Sequence, residues 1–159
     1  MCMNKLTFVI IIGVALLGLY GLAQIDYFPS DQYVEITEIA VDGTTLAIAH
    51  DCKALVAQTS EERAVAIQDG LAGVIQDRPT IYDAFTEVLD AYNMSVVSMA
   101  IEGRDDKFYY SNIVLQSPDR VLKLDMKPSD GIALCLRTDA PMYIDKELIE
   151  AEGVDFCVE

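Results

Sequence analysis

The chain has 159 residues, enough for one folded domain with a short extension, and its 11 basic and 26 acidic residues give a formal net charge of −15. So acidic a surface opposes nucleic-acid binding, which depends on Lys and Arg neutralising phosphates. It fits instead a solvated acidic surface, or one that meets anionic partners through divalent cations.

The first 25 residues predict a membrane anchor. From 6 to 23 the sequence is almost wholly apolar and uncharged, which is about enough to cross the hydrocarbon core as a helix. A cleaved signal peptide at 1–25 is the alternative, because Gly21-Leu22-Ala23 has the small-x-small form of a cleavage site. Since Lys5 precedes the apolar run and acidic residues follow it, we expect a single-pass membrane protein whose domain lies outside the cytoplasm.

A short polar linker is predicted at 26–32 and a single domain at 33–159. The domain begins with segments that alternate in polarity or are rich in β-branched residues, separated by turn residues such as Asp42-Gly43. These segments are predicted to be strands: 33–41, 44–49 and 53–58.

Two helices are predicted next. Ser60 is placed to cap the first, whose apolar residues recur at helical spacing up to Asp77. Thr80 is placed to cap the second, with Asp83 as its partner in a capping box, and Asn93 favours a left-handed end.

The second half predicts an antiparallel meander of three strands, 96–101, 108–115 and 121–126. Ser129 is predicted to cap a short apolar helix that ends at Arg137, a strand follows at 142–144, and Asp145 caps a last helix at 146–152. The predicted fold class is α+β, with a mixed or mainly antiparallel sheet covered by helices and one transmembrane helix before it.

Two motifs stand in order along this domain: RPTIYDAF at 78–85 and KPSDGIALCLR at 127–137, with APMYI following at 140–144. They resemble the bifunctional nuclease family, whose members show R-P-x-T-H-D-L-L, a pair of strands, D-x-R-P-S-D-A-I-A-L-A-L-R and A-P-I-(F/Y)-V. The likeness runs from about Tyr33 to about Gly153. It implies cleavage of DNA and RNA phosphodiester bonds, and self-association as a homo-oligomer.

Carboxylates are the candidates for catalysis. The single histidine, His50, stands at a strand end and is expected to be a hydrogen-bonded surface residue, so a two-histidine metal site is excluded. The acids inside the family-like motifs are Asp83, Asp125 and Asp130, which we predict to be catalytic. Asp125 and Asp130 flank one turn and are predicted to hold Mg²⁺ or Mn²⁺, which activates water for phosphodiester hydrolysis.

Three neighbours of these acids are predicted to bind the substrate: Arg78, Lys127 and Ser129. A structural interpretation competes with this one, because Asp83 and Asp130 also occupy capping positions at helix starts. On that interpretation Arg78 pairs with either acid and ties the two helix starts together.

The chain departs from the family pattern at three positions, one of which is Gly131, where the family usually has Ala. Tyr82 stands where the family has His, and Arg63 lies where the family commonly has an acidic residue. With the acidic charge, Tyr82 favours a second hypothesis, a non-catalytic oligomeric module that binds protein at the membrane. A third is an extracellular ion-binding domain.

The cysteines show no paired metal-binding spacing. Cys52 and Cys157 are candidates for a disulfide if the domain lies outside the cell. Cys135, within the apolar helix, is predicted to be a small core residue.

Overall fold

The computed structural model describes residues 27–157, which fold into nine strands and four helices. The strands are β1 (Tyr33–Glu35), β2 (Glu38–Asp42), β3 (Thr45–His50), β4 (Lys53–Gln58), β5 (Ser95–Arg104), β6 (Tyr109–Ser117), β7 (Arg120–Met126), β8 (Met142–Asp145) and β9 (Val154–Asp155). The helices are α1 (Glu61–Ala72), α2 (Ile81–Ala91), α3 (Pro128–Thr138) and α4 (Lys146–Glu152).

The strands form two sheets. The larger has the order β1-β8-β5-β6-β7, and its only parallel pair is β5 with β8. The smaller has the order β2-β3-β4-β9 and is antiparallel throughout. The predicted α+β class and the β5-β6-β7 meander are therefore confirmed.

The transmembrane helix predicted within residues 1–25 lies outside the described residues. Among residues 27–157, no helix combines the length and the apolar character that a membrane span requires.

The segment predicted as one strand at 33–41 is two strands in different sheets. Glu35 pairs with Tyr143 of β8, whereas Glu38 pairs with Ala49 of β3. The backbone N–H of Ile36 still bonds to β8, and that of the next residue bonds to β3. Apolar alternation continues through the crossing, so the pattern alone does not reveal the change of partner.

Helix α3 lies at the centre of the domain. Five consecutive residues from Gly131 to Cys135 are buried, because α3 packs on β5 and β6 while α1 and α2 cover its other sides. Cys135 is a core residue, as predicted. The position of α3 fixes the carboxylate and the guanidinium at its two ends.

Capping chemistry sets the helix boundaries. The Thr80–Asp83 capping box and the left-handed Asn93 are confirmed. Helix α1 stops at Ala72, short of the predicted Asp77, because Gly73 takes a left-handed φ of 64°. The prediction that Ser129 caps α3 is wrong, since Pro128 occupies the first turn, where its missing N–H costs nothing.

The ends of the described chain are attached to the domain. Phe28, within the predicted linker 26–32, is buried and packs on Tyr33 and Tyr143. At the other end, Cys52 and Cys157 form a disulfide across 105 residues, beside the pairing of β9 with β4. The candidate pairing of these two cysteines is therefore the one that the structure contains.

Candidate nucleic-acid groove and carboxylate site

A groove of about 920 Å³ opens between the two sheets. One wall comes from β3 and β4 and the start of α1, and the other from the β5–β6 hairpin. The groove floor includes the end of β7 and the first turn of α3, from Asp125 to Ser129. Its volume is that of a site for a small molecule or a short stretch of a polymer.

The groove collects positive charge on an otherwise acidic protein. The described residues that line it include four bases, Arg63, Arg104, Lys107 and Lys127, and one acid, Asp125. Two of these bases are already paired, Arg104 with Glu152 and Arg63 with Asp130, each at 2.5 Å. Among the described residues, neither lysine forms an ion pair, so both ammonium groups are available to an anion. The net charge of the chain therefore does not describe this surface.

Asp130 lies beside the groove, in the first turn of α3. Its Oδ1 atom accepts a hydrogen bond from Arg63 Nε at 2.5 Å and another from the Tyr82 hydroxyl at 2.7 Å. The described residues make no hydrogen bond to Oδ2, which leaves that oxygen for a water molecule or an ion. The three side chains line a smaller adjoining pocket of about 360 Å³.

The Asp130 cluster fixes the protonation of its neighbours. Burial and then the hydrogen bond to Asp130 raise the pKa of Tyr82 to about 12, so its hydroxyl remains a donor at neutral pH. The hydrogen bond to Asp130 also raises the pKa of the Arg63 guanidinium. Asp130 is thus held by two permanent donors.

Asp83 forms a second, buried cluster. Its Oδ1 accepts from Arg137 Nε at 2.5 Å, and its Oδ2 accepts from the backbone and hydroxyl of Thr80. Burial favours the neutral acid, but the bonds from Thr80 and Arg137 outweigh it and lower the pKa of Asp83. The Arg137 side chain also donates to the carbonyl oxygens of Ala66 and Ala133, which joins α1, α2 and α3.

The structure divides the predicted site residues into two sets and one outlier. Asp125, Lys127 and Ser129 line the groove, and Asp130 adjoins it. Asp83 is buried in the cluster with Arg137. Arg78 is exposed and pairs with neither acid, so the expected Arg78 link between two helix starts is wrong.

The actual partners of the two acids, Arg63 and Arg137, were not predicted from the sequence. The sequence offers a hint for Arg137. It is seven residues after Asp130, so the two side chains lie on the same side of α3, which marks Arg137 as a candidate for the same region. Nothing local indicates that Arg63 of α1 reaches Asp130. Tyr82, predicted as the loss of a family His, instead supplies a hydrogen-bond donor to the site. His50 is at the end of β3, with Nδ1 2.8 Å from the carbonyl oxygen of Glu35.

The donor set for a divalent cation is small. Within residues 27–157, no three His, Cys, Asp or Glu side chains gather closely enough to hold a metal ion. Asp125 and Asp130 supply two carboxylates, and Oδ1 of Asp130 already accepts two hydrogen bonds. Mg²⁺ is often bound by one or two carboxylates together with substrate phosphates, so a carboxylate such as Asp125 or Asp130 suits that ion only when a substrate is bound. Neither carboxylate suits an ion held by the protein alone.

Comparison with known proteins gives the class of the domain. The family model of the bifunctional nuclease domain matches residues 35–156. This covers most of the chain, so the chain belongs to the bifunctional nuclease domain family, as its motifs predicted.

Individual relatives are distant. An uncharacterized protein of Mycobacterium tuberculosis is 26% identical over 95 residues, covering 60% of this chain and 55% of its own length. Bifunctional nuclease 1 of Arabidopsis thaliana is 24% identical over 97 residues, or 59% of this chain and 30% of the plant protein. Bifunctional nuclease 1 of Oryza sativa subsp. indica is 25% identical, over 59% of this chain and 29% of its own length. The chain thus spans about half, or less, of the length of each of these curated relatives.

Proposed function

We propose that this domain hydrolyses phosphodiester bonds of a nucleic acid bound in the groove between the two sheets. The observation that carries the proposal is the placement of Asp130, with one free carboxylate oxygen, beside a groove lined by four basic side chains. Membership of the bifunctional nuclease domain family supports it.

The residues on the floor of the groove are the ones proposed to bind phosphate. Lys127 offers an ammonium group without an ion-pair partner among the described residues, and Ser129 offers a hydroxyl in the first turn of α3. The start of a helix favours an anion, because its first N–H groups have no partner within the helix. Together these groups would hold one phosphate against Asp125 and Asp130.

Hydrolysis needs a proton acceptor and charge neutralisation. In the proposed step a water oxygen attacks phosphorus, Oδ2 of Asp130 accepts the water proton, and the bond to the leaving sugar oxygen breaks, that oxygen taking a proton from solvent. Lys127 and Arg63 offset the negative charge that develops on the phosphoryl oxygens. A Mg²⁺ or Mn²⁺ ion held by Asp125 and Asp130 would supply Lewis-acid activation of the water.

The test is a nuclease assay of the full chain in mild detergent, on single-stranded RNA and DNA with Mg²⁺, Mn²⁺ or EDTA. Asp130→Asn and Asp125→Asn are compared with Asp119→Asn, a matched change at an acid outside the groove that pairs with Arg120. General base catalysis contributes about 10²- to 10⁴-fold, so Asp130→Asn is expected to lose activity on that scale. Asp119→Asn is expected to match the parent protein.

Circular dichroism and thermal melting verify that each variant is folded. Cleavage that all variants retain equally identifies a contaminating nuclease and contradicts the proposal. If EDTA abolishes the activity, hydrolysis with the help of a metal ion is supported. If EDTA leaves the activity intact, the proposal keeps only the protein's own side chains.

A non-catalytic binding module is the second candidate, and the Arg63–Asp130 pair favours it. Arg63 neutralises Asp130 and occupies its Oδ1, which weakens metal binding at that carboxylate. Retention of labelled oligonucleotide without cleavage in any metal would support this function.

We also propose that the domain is tethered to a membrane, lies outside the cytoplasm and self-associates. The Cys52–Cys157 disulfide supports the oxidising compartment. The edge strand β7 supports self-association, since Val121, Leu122 and Leu124 are exposed there. Protease treatment of intact cells tests the compartment, and full protection of the domain would contradict a location outside the cytoplasm. Light scattering tests self-association, and a monomer would contradict it.

A further inference from the structure

The tip of the β5–β6 hairpin presents an aromatic ring at the groove. Phe108 is 70% exposed and lines the groove beside Lys107. A large apolar ring left in water forgoes the favourable free energy of burial. Its position at an anion-binding groove calls for an occupant that combines a flat apolar surface with negative charge.

The turn that carries Phe108 is tightly held. Asp105 Oδ1 accepts hydrogen bonds from the backbone N–H groups of Lys107, at 2.8 Å, and Phe108, at 2.6 Å. The backbone N–H of Asp105 donates in return to the Phe108 carbonyl oxygen at 3.0 Å. The backbone of Phe108 is therefore fixed, so little backbone entropy is lost when a ligand packs on its ring.

The strands behind the turn are fixed as well. Tyr110 lies across Gly103 on the neighbouring strand, so closely that a side chain at Gly103 would collide with the Tyr110 ring. Tyr110 also lines the groove. The hairpin thus offers three aromatic residues, Phe108, Tyr109 and Tyr110, together with Lys107 on one wall, and Lys127 lies on the floor.

We propose that Phe108 stacks on a nucleobase and makes the groove select single-stranded nucleic acid over duplex; this rests on the proposed nuclease function. Aromatic side chains in a cationic groove bind single strands through stacking on bases and contacts with phosphates. In a duplex the bases stack on one another, so their faces are closed to Phe108. Lys107 and Lys127 supply the phosphate contacts, which both kinds of substrate share.

The experiment uses the full chain in mild detergent and EDTA, with a fluorescein-labelled 12-nucleotide DNA strand, the same strand in a duplex, and a strand carrying 2-aminopurine. Anisotropy gives the Kd, and quenching of 2-aminopurine reports stacking. Phe108→Ala is compared with Phe108→Trp, which restores a stacking ring, and with Tyr92→Ala, which removes a ring 75% exposed at the end of α2 and absent from the groove lining.

Stacking is worth about 1–3 kcal/mol per base, so Phe108→Ala is expected to weaken single-strand binding by about 5- to 150-fold and to abolish quenching. Duplex binding is expected to change less than about twofold, and Phe108→Trp and Tyr92→Ala to bind like the parent protein. Unchanged single-strand binding, or equal losses for both substrates, overturns the proposal. So does a shift of Phe108→Ala to a smaller species by light scattering, which would assign Phe108 to a contact with a second copy. If the parent protein binds neither substrate, the proposed nuclease function itself fails.

Discussion

Two aspartate–arginine pairs in this domain share one geometry and differ in their surroundings. Asp83–Arg137 and Asp130–Arg63 both join Oδ1 to Nε at 2.5 Å. The first pair is 8% and 9% exposed, and the second 26% and 32%. In the buried pair the described residues satisfy both carboxylate oxygens, whereas Asp130 keeps Oδ2 free beside a groove.

The comparison separates an acid with a structural role from one that the proposed function makes reactive. A buried carboxylate with both oxygens engaged stabilises the fold but has no room for a substrate. A half-exposed carboxylate with one free oxygen contributes little to stability and can accept a proton. Both acids lie in family-like motifs, so motif membership by itself does not assign their roles.

The largest expected effect is on stability. Asp83→Asn leaves the Arg137 guanidinium buried without its counter-ion, which is expected to lower the free energy of unfolding by about 3–5 kcal/mol. Asp130→Asn removes a partly exposed pair, worth about 1 kcal/mol or less. Urea denaturation followed by circular dichroism measures both. Equal losses would show that the two pairs do not differ in the way proposed.

Tyr82→Phe tests the hydrogen bond that Tyr82 donates to Asp130. It removes the hydroxyl donor but keeps the ring, which lies 5.4 Å from the Arg137 guanidinium carbon. We expect a stability loss of about 0.5–1.5 kcal/mol. Nuclease activity is expected to fall by up to about 100-fold, because the carboxylate loses one of the two groups that position it.

Steady-state kinetics distinguish this positioning role from a purely structural one. Loss of position lowers kcat and leaves KM nearly unchanged, and Tyr92→Phe serves as the matched control at an exposed tyrosine. Unaltered kcat in Tyr82→Phe would contradict the role.

The smallest expected effect is on pH dependence. The folded-state pKa of Asp83 lies below its ordinary value of 3.8, so its contribution to stability is present above about pH 4 and is lost as the pH falls. Asp83→Asn is therefore expected to flatten the acid limb of a Tm–pH profile between about pH 2 and pH 5. Hydrogen bonds from Arg120 and Ser117 also lower the pKa of Asp119, but this acid is exposed, so Asp119→Asn is expected to change that limb less. An acid limb that is equally steep in Asp83→Asn and the parent protein would contradict the assignment.

Local signals predicted much of the fold. The Thr80–Asp83 box, the left-handed Asn93 and the antiparallel meander all depend on residues close together in the chain. The strand at 33–41 was predicted as continuous because alternation records which face is buried, not which strand is paired. Ser129 was predicted as a cap because its residue type suits that role, whereas Pro128 begins the helix one residue earlier.

The sequence by itself determined the family, the fold class and the motifs that contain Asp83, Asp125 and Asp130. Only the tertiary structure decided which arginine meets which acid, since Arg137 and Asp83 are 54 residues apart and Arg63 and Asp130 are 67 apart. The same is true of the groove, which gathers basic residues from α1, β5, the hairpin tip and the start of α3. Periodicity and capping act over a few residues, whereas ion pairs and grooves form between segments that meet only when the sheets and helices pack.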